Sequence, residues 1–158
     1  MLVVLKIARL DDRLVHGQII NNWCTSEDIT EIIVINKEVA NNDMRRIIIE
    51  MSVPQGINII FCDVNDALEI YEEEAKFESL MIIFENPFEI LEFIENGGKL
   101  SSLNIGGMSF KKGRKKLSTA VYANDDELES LKNIADKNIN LEIRLLPTDR
   151  SINFLKTN

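Results

Sequence analysis

Residues 3–35 read VVLKIARLDDRLVHGQIINNWCTSEDITEIIVI. This stretch begins with a short apolar run, passes through a polar loop and a segment with helical spacing, and ends with a second β-branched run. A strand, a helix and a second strand in this order form a βαβ unit, which joins parallel strands of one sheet. The stretch therefore predicts an α/β fold.

The same alternation continues along the rest of the 158-residue chain. We predict seven strands, at 3–8, 32–35, 57–61, 80–84, 103–105, 119–123 and 141–145. Five helices are predicted between them, at 18–24, 43–51, 65–74, 88–95 and 127–137. Several strands are apolar throughout, as expected where helices cover both faces of a sheet. The sequence thus predicts one domain over residues 1–158, a three-layer α/β/α domain whose doubly wound, mainly parallel sheet has six to seven strands.

Start and stop signals support these helix boundaries. Asn42 and Asp63 are suited to cap the second and third helices, and Pro87 suits the first turn of the fourth. Pro54 follows the end of the second helix, and the pair Gly97-Gly98 follows the end of the fourth. These residues therefore support the predicted ends of the second, third and fourth helices.

Composition limits the classes of partner. The net charge is −8 and the sequence pI is about 4.8, so the overall field repels nucleic acid and anionic lipid. The longest apolar runs, such as Leu80–Phe84, are far shorter than the roughly 18 residues of a membrane helix. The apolar start Met1–Leu5 has no basic segment before it, unlike a signal peptide. We therefore expect a cytoplasmic protein that binds no nucleic acid.

The two cysteines, Cys24 and Cys62, are far apart in sequence and form no C-x-x-C pair. Neither a disulfide framework nor a zinc site is indicated. We expect two small buried thiols in a reducing compartment, and a protein that needs no metal and no cofactor.

The loop after the first predicted strand is the strongest candidate for a functional site. In open α/β sheets, ligands bind beyond the carboxyl ends of the strands. Here the loop reads Arg9-Leu10-Asp11-Asp12-Arg13-Leu14-Val15-His16-Gly17-Gln18, and His16 is the chain's only histidine. An imidazole is a good nucleophile near neutral pH, and the phosphoramidate it forms can pass a phosphoryl group onward. We therefore predict that His16 accepts a phosphoryl group.

The neighbours of His16 are suited to an anion. Arg13 offers a planar fork that matches phosphate oxygens, while Arg9 either does the same or pairs with Asp11 or Asp12. The two carboxylates would hold an arginine or accept a proton from one imidazole nitrogen, which leaves the other nitrogen free. A glycine after the histidine permits close backbone approach, and the start of the following helix supplies unpaired N–H groups.

A second loop is expected at the same edge of the sheet. Asn104-Ile105-Gly106-Gly107-Met108 follows the strand 103–105, and its paired glycines could present backbone amides to a phosphate. The connection Gly107–Ser118 is too short and polar for a helix, so we predict a hairpin or an extended loop with Gly113 at its tip. It contains a basic run, which either docks an acidic partner or is only solvated: Lys111, Lys112, Arg114, Lys115 and Lys116.

The candidate catalytic residues are thus His16, Arg13 and Asp12. The residues predicted to line the phosphate or to shape its loop are Arg9, Asp11, Leu14, Val15, Gly17, Gln18, Gly106 and Gly107.

Segment 9–18 resembles the R-(I/L/V)-D-D-R-L-x-H-G-Q signature of the IIB subunits of the bacterial sugar phosphotransferase system, mannose/fructose/sorbose family. Trp23 falls where that family often has a tryptophan, segment 104–108 resembles its N-(I/V)-G-G-M loop, and segment 141–149 resembles its late strand. The resemblance covers essentially the whole chain, and the first motif is long and specific.

The resemblance implies a function and a set of partners. His16 would accept a phosphoryl group, with Nδ1 as the suggested atom, from a phosphohistidine on a separate IIA protein. It would pass the group to a sugar held by the membrane subunits IIC and IID, and Arg13 and the loop backbone would hold the phosphoryl group meanwhile. The chain would be cytoplasmic and would reach the inner face of the membrane through these partners. The identity of the sugar and the oligomeric state, including a homo-oligomer, stay open.

Two other classes compete with this interpretation. A response-regulator receiver domain also has an acidic pair after its first strand, here Asp11-Asp12 as a metal site, and Asp63 would be its phosphorylated aspartate. Leu80–Phe84 is followed by no serine or threonine, however, and the fifth strand leads into Gly-Gly instead of a lysine. A non-enzymatic nucleotide-binding or interaction module on the same sheet is the third hypothesis, but neither a Walker sequence nor G-x-G-x-x-G is present.

Overall fold

The central sheet is built from seven strands. A computed structural model describes residues 5–72 and 79–157. The sheet contains β1 (Leu5–Asp11), β2 (Glu31–Ile35), β3 (Asn58–Cys62), β4 (Leu80–Phe84), β5 (Ser102–Gly107), β8 (Asn140–Ile143) and β9 (Ile152–Asn153). Their order is β3-β2-β4-β1-β5-β8-β9, and all neighbours are parallel except β8 and β9. Two further strands, β6 (Lys115–Ser118) and β7 (Val121–Ala123), form a separate antiparallel hairpin.

Helices cover both faces of this sheet. They are α1 (Gly17–Ser26), α2 (Lys37–Ala40), α3 (Asp43–Ser52), α4 (Val64–Glu72), α5 (Pro87–Glu95) and α6 (Asp125–Ala135), with a 3₁₀ helix at Phe154–Lys156. Within the described ranges, no helix is long and apolar enough to cross a membrane. The ends of the predicted strand 3–8 and of the predicted helix 65–74 lie partly outside the described residues.

Two apolar clusters pack on opposite faces of the sheet. Ile20 and Trp23 of α1 join one face of the sheet, together with Ile49 of α3. Apolar residues of α4, α5 and α6 join the other face. Because successive side chains of a strand point to opposite faces, β1 contributes to both clusters. The prediction of a three-layer α/β/α fold with a mainly parallel sheet is confirmed.

Several predicted helix signals are present as hydrogen bonds. The Asn42 side chain accepts from the backbone N–H of Arg45 at 3.1 Å, and the Asp63 side chain accepts from that of Asp66 at 2.8 Å. Pro87 is in the first turn of α5. These boundaries were readable from sequence because the caps act on groups only three residues away.

The strand order places one loop at the centre of the carboxyl edge. β1 lies between β4 and β5; the chain leaves β1 towards β2 on one side, and leaves β5 towards β8 on the other. Connections that diverge from two adjacent strands leave a crevice between their carboxyl ends, which is where open α/β sheets bind ligands. The β1–α1 loop and the end of β5 border this crevice.

The region after β5 differs from the sequence-based expectation. Gly106 and Gly107 are the last residues of β5 rather than a loop beyond it. The predicted strand 119–123 is also wrong in part, because Thr119-Ala120 form the turn of the β6–β7 hairpin and β7 does not join the main sheet. Gly113 therefore lies in a turn before β6 and not at the hairpin tip. A local β-branched pattern cannot tell which strand it will pair with.

The short elements were missed for lack of a periodic signal. α2 has four residues, β9 has two and the 3₁₀ helix has three. None is long enough to repeat an apolar position, which is the signal that sequence patterns provide. β9 is the seventh strand of the main sheet in the described residues. The predicted upper number of seven strands was therefore correct, but β9 takes the place that was predicted for strand 119–123.

Candidate functional site

The β1–α1 loop is held by its two apolar residues. A tight turn closes with the N–H of Leu14 donating to the carbonyl of Asp11 at 2.9 Å. Leu14 has a φ of +57°, which is unfavourable for a residue with a Cβ. Its side chain and that of Val15 are buried in the cluster under α1, and this burial holds the turn in place. Leu14 and Val15 therefore shape the loop from below, so only their backbone can face a ligand.

His16 is the residue that precedes α1 and would normally cap it. Its backbone is extended, with φ −148° and ψ 130°, and its side chain caps nothing. Instead, ring atom Nε2 lies 2.9 Å from Oδ2 of Asp11, while 23% of the side chain stays exposed. The second ring nitrogen, Nδ1, has no hydrogen-bond partner in residues 5–72 and 79–157. The imidazole is thus fixed at one nitrogen and accessible at the other.

Asp11 is a fully buried carboxylate at the end of β1. Its Oδ2 also accepts from Nη2 of Arg9 at 3.1 Å, and its Oδ1 accepts from the backbone N–H of Arg13 at 3.0 Å. Burial alone would raise the pKa of Asp11, but the hydrogen bond from His16 and the charge of Arg9 bring it below its usual value. Asp11 is therefore ionised near neutral pH and can only accept hydrogen bonds.

Arg9 supports this carboxylate from inside the protein. Its Nη1 donates to Oδ1 of Asn104 at 2.6 Å, and its guanidinium lies over the Trp23 ring at 5.4 Å. Burial lowers the pKa of Arg9, and Asp11 opposes that effect. A Cβ at Gly106 would lie 2.0 Å from Cζ of Arg9, so the glycine there makes room for the buried guanidinium. Of the two tasks predicted for Arg9, the structure has it pairing with Asp11.

Asp12 belongs to a different network on the opposite side of the loop. Its carboxylate accepts from the backbone N–H of Ser109 at 2.7 Å, from Oγ of Ser109 at 2.9 Å and from Nη1 of Arg114 at 3.0 Å. Arg114 is also held by Glu127, whose nearest contact with it is 2.7 Å. Asp12 was predicted as a catalytic residue, yet it is Asp11 that contacts the imidazole.

Arg13 is the guanidinium with freedom to bind a ligand. Its side chain is 48% exposed, and Nε lies 3.6 Å from Oδ1 of Asp11. Nη2 lies over Gly107, where a Cβ would be 3.3 Å away. The two residues therefore approach each other closely, and Arg13 reaches across the crevice between β1 and β5. This position agrees with the phosphate-holding task predicted for it.

The first turn of α1 supplies unpaired backbone donors beside His16. The helical hydrogen bonds start with the N–H of Ile20, which donates to the carbonyl of His16. The N–H groups of Gly17 and Gln18 therefore precede the ladder, and both residues are exposed. Gly17 has a φ of +45°, which glycine adopts without strain. A helix start of this kind favours an anion.

Comparisons with known proteins identify the family of this chain. The family model described as PTS system sorbose subfamily IIB component matches residues 5–157. The chain belongs to this IIB family. It is 31% identical over 154 residues to the PTS system sorbose-specific EIIB component of Lacticaseibacillus casei, which covers 97% of this chain and 94% of that protein.

Other relatives extend the likeness to longer proteins and to solved structures. The chain is 31% identical to the PTS system mannose-specific EIIAB component of Escherichia coli K12, and it spans about half, 48%, of the length of that relative. The crystal structure of the IIBSor domain of the Klebsiella pneumoniae sorbose permease has a TM-score of 0.86 at 28% identity, with 99% and 96% of the two chains covered. The N-acetylgalactosamine-specific IIB component 1 of E. coli gives 0.89 at 27%, with coverages of 94% and 97%.

Several residues of this IIB site were not found from sequence. Ser109, Glu127 and Arg144 all take part in its hydrogen-bond networks. Arg144 stacks on the face of Trp23 at 5.0 Å, and Nε1 of Trp23 donates to the carbonyl of Leu145 at 2.8 Å. No local pattern marks these residues, because each contacts a partner more than ten positions away.

The basic run divides into two groups in the IIB structure. Arg114 is almost buried by Asp12 and Glu127, and these partners raise its pKa although burial alone would lower it. The four lysines of the run are exposed: Lys111, Lys112, Lys115 and Lys116. Within the basic run, the positive charge that is exposed to solvent therefore comes from the four lysines and not from Arg114.

No group of three or more His, Cys, Asp or Glu side chains suited to a metal ion is found in the part of the chain that the structure describes. Cys24 and Cys62 are both buried and unbridged. Burial raises the pKa of Cys24 to about 11 and that of Cys62 to about 12. Both thiols are therefore protonated near neutral pH and poorly nucleophilic.

Proposed function

We propose that this chain is a phosphoryl carrier of the sugar phosphotransferase system, in which His16 takes a phosphoryl group from a phosphohistidine on a IIA protein. The proposal rests chiefly on the pairing of His16 with Asp11. The sole histidine has Nε2 at 2.9 Å from a buried carboxylate and stands at the start of a helix. This arrangement provides an oriented nucleophile in a place that attracts an anion.

The tautomer of His16 follows from the charge on Asp11. An ionised carboxylate can only accept, so Nε2 carries the proton and donates it to Oδ2. The lone pair is then on Nδ1, the nitrogen that faces away from Asp11. We therefore propose Nδ1 as the atom that receives the phosphoryl group.

In the transfer, Nδ1 of His16 attacks phosphorus while the bond between phosphorus and the donor's imidazole nitrogen breaks. The donor imidazole leaves with the electron pair of that bond. Positive charge develops on the His16 ring as its new bond forms, and Asp11 stabilises this charge through Nε2–H. Arg13 and the N–H groups of Gly17 and Gln18 are suited to the oxygens of the transferring group.

In the second step the phosphoryl group passes to a sugar. A sugar hydroxyl attacks phosphorus and its proton passes to water, while the bond from Nδ1 to phosphorus breaks and its electron pair returns to Nδ1. We propose that membrane IIC and IID subunits hold the sugar, and that the chain works on the cytoplasmic side of the membrane through them. The relatives are named for sorbose, mannose, fructose and N-acetylgalactosamine, so membership of the family does not specify which sugar receives the phosphoryl group.

The direct test is His16→Ala. The variant should fold like the parent, because the histidine side chain is partly exposed and caps nothing, and it should accept no phosphoryl group from a phosphorylated IIA protein. Radiolabel transfer followed on a gel measures this. Asn21→Ala is the matched control, since it truncates an exposed polar side chain later in the same helix and should keep its label. A labelled His16→Ala chain would contradict the proposal.

The stability of the labelled parent separates this function from a receiver domain. A phosphoramidate is lost in acid, whereas an acyl phosphate on aspartate is readily cleaved by base. We expect acid-labile, base-stable label. Asp63, the aspartate of the receiver reading, accepts the N–H of Asp66 as a helix cap, so no observation favours that alternative.

A further inference from the structure

The segment that follows β5 is fixed directly against the His16 loop. Ser109 donates both its backbone N–H and its hydroxyl to Asp12, which lies four residues before His16. Arg114 donates to the same carboxylate and to the carbonyl of Ser109, the latter at 2.6 Å. We use the name basic loop for the intervening residues 110–113 together with Lys115 and Lys116, which begin β6. Both ends of residues 110–113 are therefore tied to the site.

An aromatic side chain stands exposed on this loop. Phe110 follows Ser109 directly and is 71% exposed. Its ring meets Tyr122 of β7 edge-on, with 5.6 Å between centroids and an interplanar angle of 82°. Tyr122 supports one side of the ring and leaves most of its apolar surface in water. Aromatic side chains, phenylalanine among them, are enriched at the centres of protein interfaces relative to the rest of the surface.

The surroundings of Phe110 are positive on a protein that is otherwise negative. Lys111, Lys112, Lys115 and Lys116 are exposed, whereas the chain as a whole has a net charge of −8. The nearby Arg114 pairs with Asp12 and Glu127, which removes its charge from solvent. A partner that contacts the loop should therefore present acidic groups around an apolar pocket.

We infer that Phe110 is the anchor through which this chain docks its phosphoryl donor, and that the lysines of the basic loop attract the acidic surface of that donor. This inference rests on the proposed function, because the donor is the partner that must reach His16. A protein is favoured over a lipid surface because the loop is bound to the His16 loop itself, and the phosphoryl group arrives at that place.

The test measures the rate of phosphoryl acceptance against the concentration of a phosphorylated IIA protein. Phe110→Ala should raise KM for the donor about 30-fold, the loss expected of an interface anchor, and leave kcat within a factor of about three. Phe110→Leu keeps apolar surface and should recover part of the loss. Thermal unfolding of both variants checks that the hairpin remains folded.

Leu155→Ala is the matched control. Leu155 is a 63% exposed apolar residue in the 3₁₀ helix. Because this helix follows β9, which runs antiparallel to β8, it lies towards the amino ends of the parallel strands and away from the His16 loop. Truncation of Leu155 should therefore leave KM unchanged. The triple variant Lys111→Gln, Lys112→Gln, Lys115→Gln should raise KM at low salt, with the difference from the parent shrinking as salt screens the attraction over roughly 10 Å at 0.1 M.

The outcomes separate the inference from the proposed function. A parent that takes no label overturns both. A labelled parent with the same KM in Phe110→Ala overturns the docking inference alone. A second measurement uses vesicles of phosphatidylglycerol and phosphatidylcholine. If the parent binds these vesicles, and Phe110→Ala abolishes that binding while KM for the donor stays unchanged, the loop binds a lipid surface. That result would also overturn the docking inference.

Discussion

Asp11 and Asp12 are adjacent in sequence and chemically identical, yet they belong to two separate networks. Asp11 contacts the imidazole of His16 and the buried guanidinium of Arg9. Asp12 points the other way and joins Ser109 and Arg114. Since successive side chains at the end of a strand point in opposite directions, one carboxylate faces His16 and the other holds the segment after β5. Position in the chain, not residue type, decides which carboxylate contacts the imidazole.

The comparison is tested most strongly at Asp11. Asp11→Asn leaves one acceptor oxygen in place of two, so the side chain cannot serve Arg13 N–H on one side and His16 with Arg9 on the other. We expect transfer by the folded protein to fall about 100-fold, as when the carboxylate behind a functional histidine is lost. Radiolabel acceptance, divided by the folded fraction from circular dichroism, measures this. A change of less than threefold would remove Asp11 from the mechanism.

The same substitution at Asp12 should have the opposite profile. Asp12→Asn weakens the three charge-assisted hydrogen bonds that this carboxylate accepts, and we expect the free energy of unfolding to fall by about 2 kcal/mol. At saturating donor the transfer rate of the folded fraction should stay within a factor of about three. Urea unfolding and single-turnover transfer provide the two numbers. If Asp12→Asn slowed transfer as much as Asp11→Asn, the division between the two networks would be wrong.

Arg13 contacts Asp11 through its backbone N–H and its Nε, but its side chain is 48% exposed, so its replacement tests the Asp11 network without disturbing a buried group. Arg13→Lys keeps the charge and loses the fork, which removes about one charge-assisted hydrogen bond of roughly 1.5 kcal/mol to the transferring group. Transfer should slow on the order of 10-fold with the melting temperature nearly unchanged. An unaltered rate would exclude Arg13 from phosphate binding.

The smallest expected effect is that of removing metal ions. Both carboxylates already have cationic or hydrogen-bonding partners within the described residues, Arg9 and His16 for Asp11 and Arg114 for Asp12. A chelator such as EDTA in excess should therefore leave transfer from the IIA phosphohistidine to His16 unchanged. Loss of labelling in the chelator, restored by adding a divalent cation, would contradict this.

The local part of the site could be predicted from sequence, and the distant part could not. His16, Arg13 and Asp11 lie within six consecutive residues between a strand and a helix, so their proximity needs no tertiary information. Arg114 was interpreted as part of a basic run because charge spacing was its only signal. Its partner Asp12 lies 102 residues away, and only the fold brings the two together.

Burial explains two other limits of the sequence analysis. Arg9 was predicted either to bind phosphate or to pair with Asp11 or Asp12, and its burial beside Asp11 was not visible from sequence. Gly106 was assigned to a phosphate loop, whereas it leaves space for the Arg9 guanidinium within β5. The fold itself followed from long periodic segments and was predictable, while the two-residue strand β9 carried no pattern at all.

Trp23 is the only tryptophan of the chain, and its position makes it an intrinsic optical reporter. The guanidinium groups of Arg9 and Arg144 lie 5.4 Å and 5.0 Å from the centroid of its ring, and its N–H donates to the carbonyl of Leu145. Emission excited at the red edge of protein absorbance therefore comes from one fluorophore in one environment. Because Arg9 touches Asp11 and Asp11 touches His16, that fluorophore is two side chains removed from the imidazole. Rearrangements of the site can be followed by fluorescence without attaching a dye.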